Sequence, residues 1–133
     1  MASIYKDVSI ALPADAVWAV VRDFGAVHTR LAPGFVVDTR LEDDVRIVSF
    51  ANGNVVREQL IDCDDARRRI VYAIDDPRMT RHSASIQIIP DGETRCRMIW
   101  ITDVLPHAIG PYIAQQMEIG ARTMQGTLGR LAA

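Results

Sequence analysis

The chain has 133 residues, of which 49% are hydrophobic and 24% are charged, with a formal net charge of −2. This length and balance predict a single domain, residues 1–133, with a sizeable core. The small charge gives no sign of a nucleic-acid partner, and no apolar run approaches the roughly 20 residues of a membrane-spanning helix. The two cysteines, Cys63 and Cys96, are too few for a disulfide framework and fit no zinc spacing. We therefore expect a cytoplasmic protein without a metal or a cofactor.

The N-terminal part of the chain predicts one strand followed by two short helices. Residues 3–12 alternate between apolar and polar types, and this strand ends at Pro13. Residues 14–25 (ADAVWAVVRDFG) carry valines at helical spacing, and a glycine marks the expected helix end. Residues 26–34 (AVHTRLAPG) predict a second short helix, closed by a Pro-Gly pair.

Six further strands are predicted between short turn sequences. The segments are FVVDTRLE, VRIVSFA, VVREQLID, RRRIVYAI, RHSASIQIIP and TRCRMIWITDVL. In the first of them, Phe35, Val37 and Leu41 are expected to share the inner face. Short connections predict an antiparallel meander, and one apolar face per strand indicates a sheet that is covered on one side only.

The last 27 residues, 107–133, predict one long helix. Its apolar stripe contains Ile109, Ile113, Met117, Gly120, Met124, Leu128 and Leu131. Because no other element is long enough to cover the sheet, we expect an α+β fold. In it, a curved seven-stranded antiparallel sheet surrounds this helix. Ile113, Met117 and Gly120 would form one wall of a cavity between the two, and such cavities bind small apolar molecules.

One carboxylate interrupts the alternation of residues 54–65 (NVVREQLIDCDD). Val56, Glu58 and Leu60 share the face that should be buried. An unpaired buried carboxylate is costly, so Glu58 needs a partner or a raised pKa. Two interpretations stay open: a structural carboxylate with a cation or water as partner, or a group that anchors a ligand or acts as a general base.

His82 and Tyr72 also fall on apolar strand faces, where each is either an ordinary core residue or part of the cavity wall. His82 shares its face with Ala84. A hairpin centred on Asp65 would place Tyr72 opposite Glu58. The expected backbone separation of Glu58 and His82 is about 12 Å, too far for an acid–base dyad. A ligand lying between the two side chains would still contact both.

The last strand has two alternative orientations. A two-residue turn at 91–92 would direct Ile99 and Ile101 inward together with two arginines, whereas a loop with an odd number of residues would direct Trp100 inward. We favour the inward Trp100, because this orientation leaves the arginines in solvent.

The element order and three sequence blocks resemble the START-like (SRPBCC) superfamily. This superfamily includes birch pollen allergens, plant hormone receptors and bacterial polyketide cyclase/dehydrase-like proteins. VWAVVRDFG resembles its first-helix motif, VRIVSFANGNVVREQLIDCDDARRRIVYAI its central block, and WITDVLP the end of its last strand. The resemblance implies a helix-grip fold over nearly the whole chain and a hydrophobic ligand. It also implies that Glu58 and Trp100 face the cavity, since the hormone receptors carry a pocket glutamate in a similar position.

The leading hypothesis is a START-like domain that binds a small hydrophobic ligand, such as a lipid or polyketide, for transport or sensing. The alternatives are a metal-free cyclase or dehydratase that uses Glu58 and His82 as acid and base, and an interaction module with a filled cavity. The predicted ligand-binding residues are Val56, Glu58, Leu60, Tyr72, His82, Ala84, Trp100, Ile113, Met117 and Gly120. A monomer and a homodimer remain equally open.

Overall fold

The computed structural model describes residues 2–131, and its element order confirms the predicted α+β fold. In chain order the elements are β1 (Ser3–Ile10), α1 (Ala14–Val21), a π-helical turn (Val27–Leu31), β2 (Val36–Glu42), β3 (Val45–Phe50), β4 (Val55–Asp64), β5 (Arg69–Asp75), β6 (Arg81–Pro90), β7 (Cys96–Leu105), a 3-10 turn (His107–Ile109) and α2 (Gly110–Arg130). Two short helical segments thus follow the first strand, as expected.

The seven strands form one antiparallel sheet in the order β1-β7-β6-β5-β4-β3-β2. Strands β2 to β7 pair with their neighbours in sequence, and β1 pairs along the outer edge of β7. The sheet curves around α2, which confirms the predicted helix-grip arrangement. Within residues 2–131, no helix combines the length and the apolarity that crossing a membrane requires.

Helix α1 ends earlier than its sequence predicts. It begins after Pro13, whose extended backbone is compatible with the start of a helix, and it ends at Val21. Gly25, the expected helix end, has a different role. A Cβ atom there would lie 2.7 Å from Leu41 Cδ1, so any larger residue would require the exposed Leu41 side chain to move aside.

The expectation that Phe35, Val37 and Leu41 share the inner face is wrong for Val37. Val36 is buried, whereas Val37 and Leu41 are 56% and 52% exposed. The pairing of β2 with β3 shifts between Val36 and Asp38, which inserts Val37 as an extra residue. Beyond this β-bulge, Leu41 pairs with the buried Arg46 and so lies on the inner face as expected, although it stays half exposed there.

The favoured orientation of β7 is confirmed. Pro90 pairs with Cys96, so the connection of residues 91–95 holds an odd number of residues. Trp100 therefore faces inward and is buried, together with its neighbours two residues away on either side. Arg97 stays on the outer surface and forms an ion pair with Asp7 of β1.

Helix α2 covers the concave face of the sheet with the predicted stripe. Met117, Gly120, Met124 and Leu128 are buried in it. Leu131 follows the helix end and is 58% exposed, so it does not belong to the stripe. The last two residues of the predicted helix lie outside the described part of the chain.

Candidate functional site

A cavity of about 110 Å³ lies between the concave face of the sheet and α2. Its walls are mostly apolar, and the sheet, the π-helical turn and α2 all contribute to them. Seven of the residues predicted to bind a ligand line it: Val56, Glu58, Tyr72, His82, Trp100, Ile113 and Met117. Seven of the ten predicted side chains therefore meet around one cavity.

Three predicted residues do not line this cavity. Leu60 precedes a β-bulge and packs, half-buried, against the core. Ala84 lies in the sheet between two larger inward residues, Tyr72 and Thr102, and only 1% of it is exposed. At Gly120, a Cβ atom would lie 3.0 Å from the ring of Phe35 and 3.2 Å from that of Trp100, so this glycine lets both rings approach α2.

Four inward residues form one lateral row across β3, β4, β5 and β6. Arg46 pairs with Glu58, and Glu58 pairs with Ile74. The backbone N–H of Ile74 donates a hydrogen bond of 3.0 Å to His82 Nδ1. The row arises because the β3–β4 hairpin is centred on Asn52, which sets Arg46 opposite Glu58.

Glu58 has a buried cationic partner. Arg46 Nε lies 2.6 Å from Glu58 Oε1, and both side chains are only 7% exposed. The guanidinium carbon lies 4.1 Å from the ring centre of Phe24 and 4.9 Å from that of Tyr72. Nη1 also donates to the carbonyl oxygen of Phe24 at 3.4 Å. A buried carboxylate requires such a partner. Glu58 is therefore a structural carboxylate through Oε1, which bonds to the Arg46 cation.

The ion pair leaves one atom of each partner without a hydrogen bond. Within residues 2–131, neither Glu58 Oε2 nor Arg46 Nη2 forms one. In this part of the chain, the fully buried side-chain nitrogen and oxygen atoms that lack a hydrogen-bond partner are His28 Nδ1 and Thr39 Oγ1. Glu58 Oε2 and Arg46 Nη2 are not among these atoms, so both are still accessible. Because Glu58 and Arg46 line the cavity, the two atoms are accessible from it.

Tyr72 pairs with Leu60 and not with Glu58, because the β4–β5 turn is centred between Ala66 and Arg67 rather than on Asp65. Trp100 Nε1 donates to the Tyr72 hydroxyl at 3.1 Å, so the phenol proton remains available for a second bond. Burial, reinforced by the nearby Glu58 carboxylate, raises the pKa of Tyr72 far above its ordinary value. Tyr72 is therefore a neutral donor at any physiological pH.

His82 is also neutral at physiological pH, since burial lowers its pKa to about 4. Its Nδ1 accepts the Ile74 N–H, which assigns the ring proton to Nε2. Glu58 and His82 lie in the same row, so they are not displaced from each other along the strand direction, although the separation of about 12 Å expected from the sequence assumed such a displacement. Their backbones are two strand spacings apart, roughly 10 Å, and the inward side chain of Ile74 lies between them. The two residues form no acid–base dyad.

The rim of the cavity joins the β3–β4 turn to α2. Asn54 Nδ2 lies 2.6 Å from the hydroxyl oxygen of Tyr112, and Asn52 Nδ2 lies 3.1 Å from the same atom. Arg78, in the β5–β6 connection, also lines the rim and pairs with Asp76 at 2.7 Å. The two asparagines, Tyr112 and Arg78 line the cavity beside its apolar walls.

A second, outer groove of about 370 Å³ lies beside the rim. Phe35 and Phe50 line both spaces, and their rings meet edge to face with centres 5.3 Å apart. The groove contains none of the polar row described above. The polar groups of the candidate site therefore belong to the inner cavity.

Residues 1–133 match the model of a family described as "Polyketide cyclase / dehydrase and lipid transport". Among curated proteins, no similar sequence was found.

Several solved structures are similar over almost their whole length. XoxI from Bacillus cereus is 19% identical with a TM-score of 0.87, covering 100% of this chain and 99% of its own. A START superfamily protein from Mycobacterium smegmatis is 17% identical, with a TM-score of 0.75 and coverages of 97% and 98%. A norcoclaurine synthase mutant from Thalictrum flavum, in complex with a transition-state analogue, is 20% identical, with a TM-score of 0.74 and coverages of 98% and 96%. At these identities, the likeness shows the fold.

Proposed function

This chain belongs to the polyketide cyclase/dehydrase and lipid transport family, and on that basis we propose that it reversibly binds one small, mostly apolar ligand for transport or sensing. The observation that carries the proposal is the form of the cavity. Its walls are largely apolar, and its polar groups are confined to the row on the sheet with Tyr72 and to the rim. This is the usual composition of a small-molecule site, in which few polar groups orient an apolar ligand.

The size of the cavity limits the ligand. Pockets for drug-sized molecules begin at roughly 300 Å³, and this cavity measures about 110 Å³. A single water needs about 10–15 Å³ in a comparable measure, so there is room for on the order of ten non-hydrogen atoms. We expect a ligand with a single ring or a short chain rather than a long-chain lipid.

The alternative function, a cyclase or dehydratase, needs an acid and a base that act on one substrate. Glu58 is held by Arg46, and Nδ1 of His82 is occupied by a backbone N–H. The two residues lie roughly 10 Å apart across the sheet. General acid–base catalysis requires each group within hydrogen-bond reach of the proton it transfers. These contacts favour binding over catalysis.

Native mass spectrometry of protein purified from its host tests the proposal. We expect a co-purifying small molecule in the wild type and its loss in Ile113→Trp, which places an indole in the cavity. Gln115→Trp is the matched control, because Gln115 is exposed on the same helix. A wild type without a bound molecule, or retention of the molecule by Ile113→Trp, would contradict the proposal.

Incubation with the identified molecule separates a carrier from an enzyme. We expect wild type, Glu58→Gln and His82→Ala all to return it chemically unchanged. Turnover by wild type that both variants lose would overturn the binding function in favour of the enzyme.

A further inference from the structure

We propose that the ligand is uncharged and presents a hydrogen-bond donor beside an acceptor, as a primary carboxamide on a single ring does. This inference rests on the proposed function and names the chemical class that the same cavity takes. It follows from the charge balance of the polar wall and from the atoms that the wall leaves unpaired.

The wall facing the cavity carries no uncompensated charge. The charges of Arg46 and Glu58 cancel across a 2.6 Å contact. His82 is neutral at physiological pH, because burial lowers its pKa to about 4, and Tyr72 keeps its proton. Arg78, the remaining charged residue of the lining within residues 2–131, lies exposed at the rim and pairs with Asp76. A charged ligand would therefore lose its hydration without gaining a counterion.

The unpaired atoms of the wall offer one strong acceptor and several donors. Glu58 Oε2 accepts, and Arg46 Nη2 donates beside it, since the two groups are joined through Oε1 and Nε. The Tyr72 hydroxyl adds a further donor close to the pair, since its ring centre lies 4.9 Å from the Arg46 guanidinium. His82, in contrast, lies on the far side of Ile74. A carboxamide matches this set: its N–H groups suit the carboxylate oxygen, and its carbonyl oxygen has two lone pairs for the donors.

Charge-assisted hydrogen bonds are also the strongest that a neutral ligand can form, and both members of the ion pair provide them. An apolar ligand of the same size would leave Glu58 Oε2 and Arg46 Nη2 desolvated and unpaired, which lowers its affinity. A carboxylate of the same size would place a second anion beside Glu58. The wall therefore discriminates between ligands of identical shape by the chemistry of one substituent.

Three one-ring probes test this discrimination in the wild-type protein: benzamide, benzoate and toluene, titrated at pH 7 by calorimetry and by NMR of the backbone amides. We expect benzamide to bind at least tenfold more tightly than either of the others. Benzoate or toluene binding as tightly as benzamide would overturn the inference and leave the proposed function intact. Binding of none of the three, by protein that also carries no co-purified molecule, would instead overturn the proposed function and this inference with it.

Two variants locate the selectivity in the ion pair. Glu58→Gln removes the anion and leaves Arg46 uncompensated, so we expect the preference to invert in favour of benzoate by at least tenfold. Arg46→Met/Glu58→Leu replaces both charges with apolar groups of similar volume, and we expect it to bind toluene while benzamide loses its advantage. The double variant decides the question even where the single variant fails to fold, because a retained preference for benzamide in it would overturn the inference.

Discussion

The inner face of the sheet has two ends that differ in chemistry although the same strands build both. Along β6 the inward residues run from Ile88 through Ile86 to His82, and along β7 they run from Met98 through Trp100 to Thr102. At the aliphatic end, which we call the filled end, Ile88 and Met98 are at most 1% exposed. The cavity lies at the polar end, which we call the cavity end.

The difference shows how a protein keeps polar residues on an otherwise apolar face. At the cavity end Glu58, Tyr72 and His82 each have a partner on another strand. Glu58 bonds to Arg46, Tyr72 to Trp100, and His82 to the backbone of β5. The filled end is held by close packing, whereas the cavity end is held by specific pairs, and the two respond differently to substitution.

The largest effect is expected where one member of a buried pair is removed. Arg46→Ala leaves Glu58 buried without a cation and should lower the free energy of unfolding by about 3–5 kcal/mol. Arg46→Met/Glu58→Leu removes both charges and should be close to wild type. Urea denaturation measures both. A loss below about 1 kcal/mol in the single variant would mean that the pair does not hold the cavity end.

Two isoleucines on the same face of β6 compare the ends directly. Ile88→Ala opens a new cavity at the filled end and should cost about 3 kcal/mol. Ile86 lines the existing cavity, so Ile86→Ala enlarges a space already present and should cost at least about 1 kcal/mol less. Equal losses in thermal or urea unfolding would show that the cavity end is packed as tightly as the filled end.

Acid should weaken the cavity end through His82. Its folded pKa of about 4 lies below the ordinary histidine value of 6.5, so the unfolded chain binds a proton that the folded chain excludes. Stability contributed by the neutral ring is complete above pH 6.5 and is lost as the pH falls toward 4. The loss should be about 2 kcal/mol, since the ring is partly exposed.

His82→Asn keeps an acceptor for the Ile74 N–H but cannot titrate in this range. The difference in unfolding free energy between wild type and this variant should therefore change between pH 6.5 and pH 4, while effects of the acidic surface pairs cancel. A difference that stays constant with pH would show that His82 does not titrate on unfolding.

The smallest effect is expected at the rim. Tyr112→Phe removes the hydroxyl that bonds to Asn52 and Asn54 and should cost less than about 1 kcal/mol, because these bonds compete with water. It should speed hydrogen exchange of the amides in the β3–β4 turn. Tyr5→Phe, on the exposed outer face, is the matched control. Unchanged exchange in Tyr112→Phe would show that the hydroxyl does not hold the turn.

The alternation of single strands was enough to predict which residues face the helix, including Glu58, His82 and the favoured Trp100. It did not reveal Arg46, although the same alternation places Arg46 and Val48 together on one face of their strand. A strand pattern shows which way a residue points, whereas its partner depends on the register between two strands.

Registers change at bulges, and bulges have no reliable local signature. Val37 and Ile61 are the extra residues in β2 and β4. Both are β-branched, like many of their neighbours in regular strand positions, so their sequences gave no warning. Tyr72 lies away from Glu58 because the β4–β5 turn is centred between Ala66 and Arg67, and the bulge at Val37 takes that residue off the inner face. The volume of the cavity was not predictable either, because it depends on how side chains from separate elements pack.

The hydrogen bond from Trp100 to Tyr72 holds a fluorescent indole in the wall of the cavity. The chain has two tryptophans. Trp100 lines the cavity, while Trp18 lies on α1 and bonds to Asp65 in the β4–β5 turn. In Trp18→Phe the only remaining indole is therefore at the candidate site. The emission of that single fluorophore reports directly on what enters the cavity, without any label.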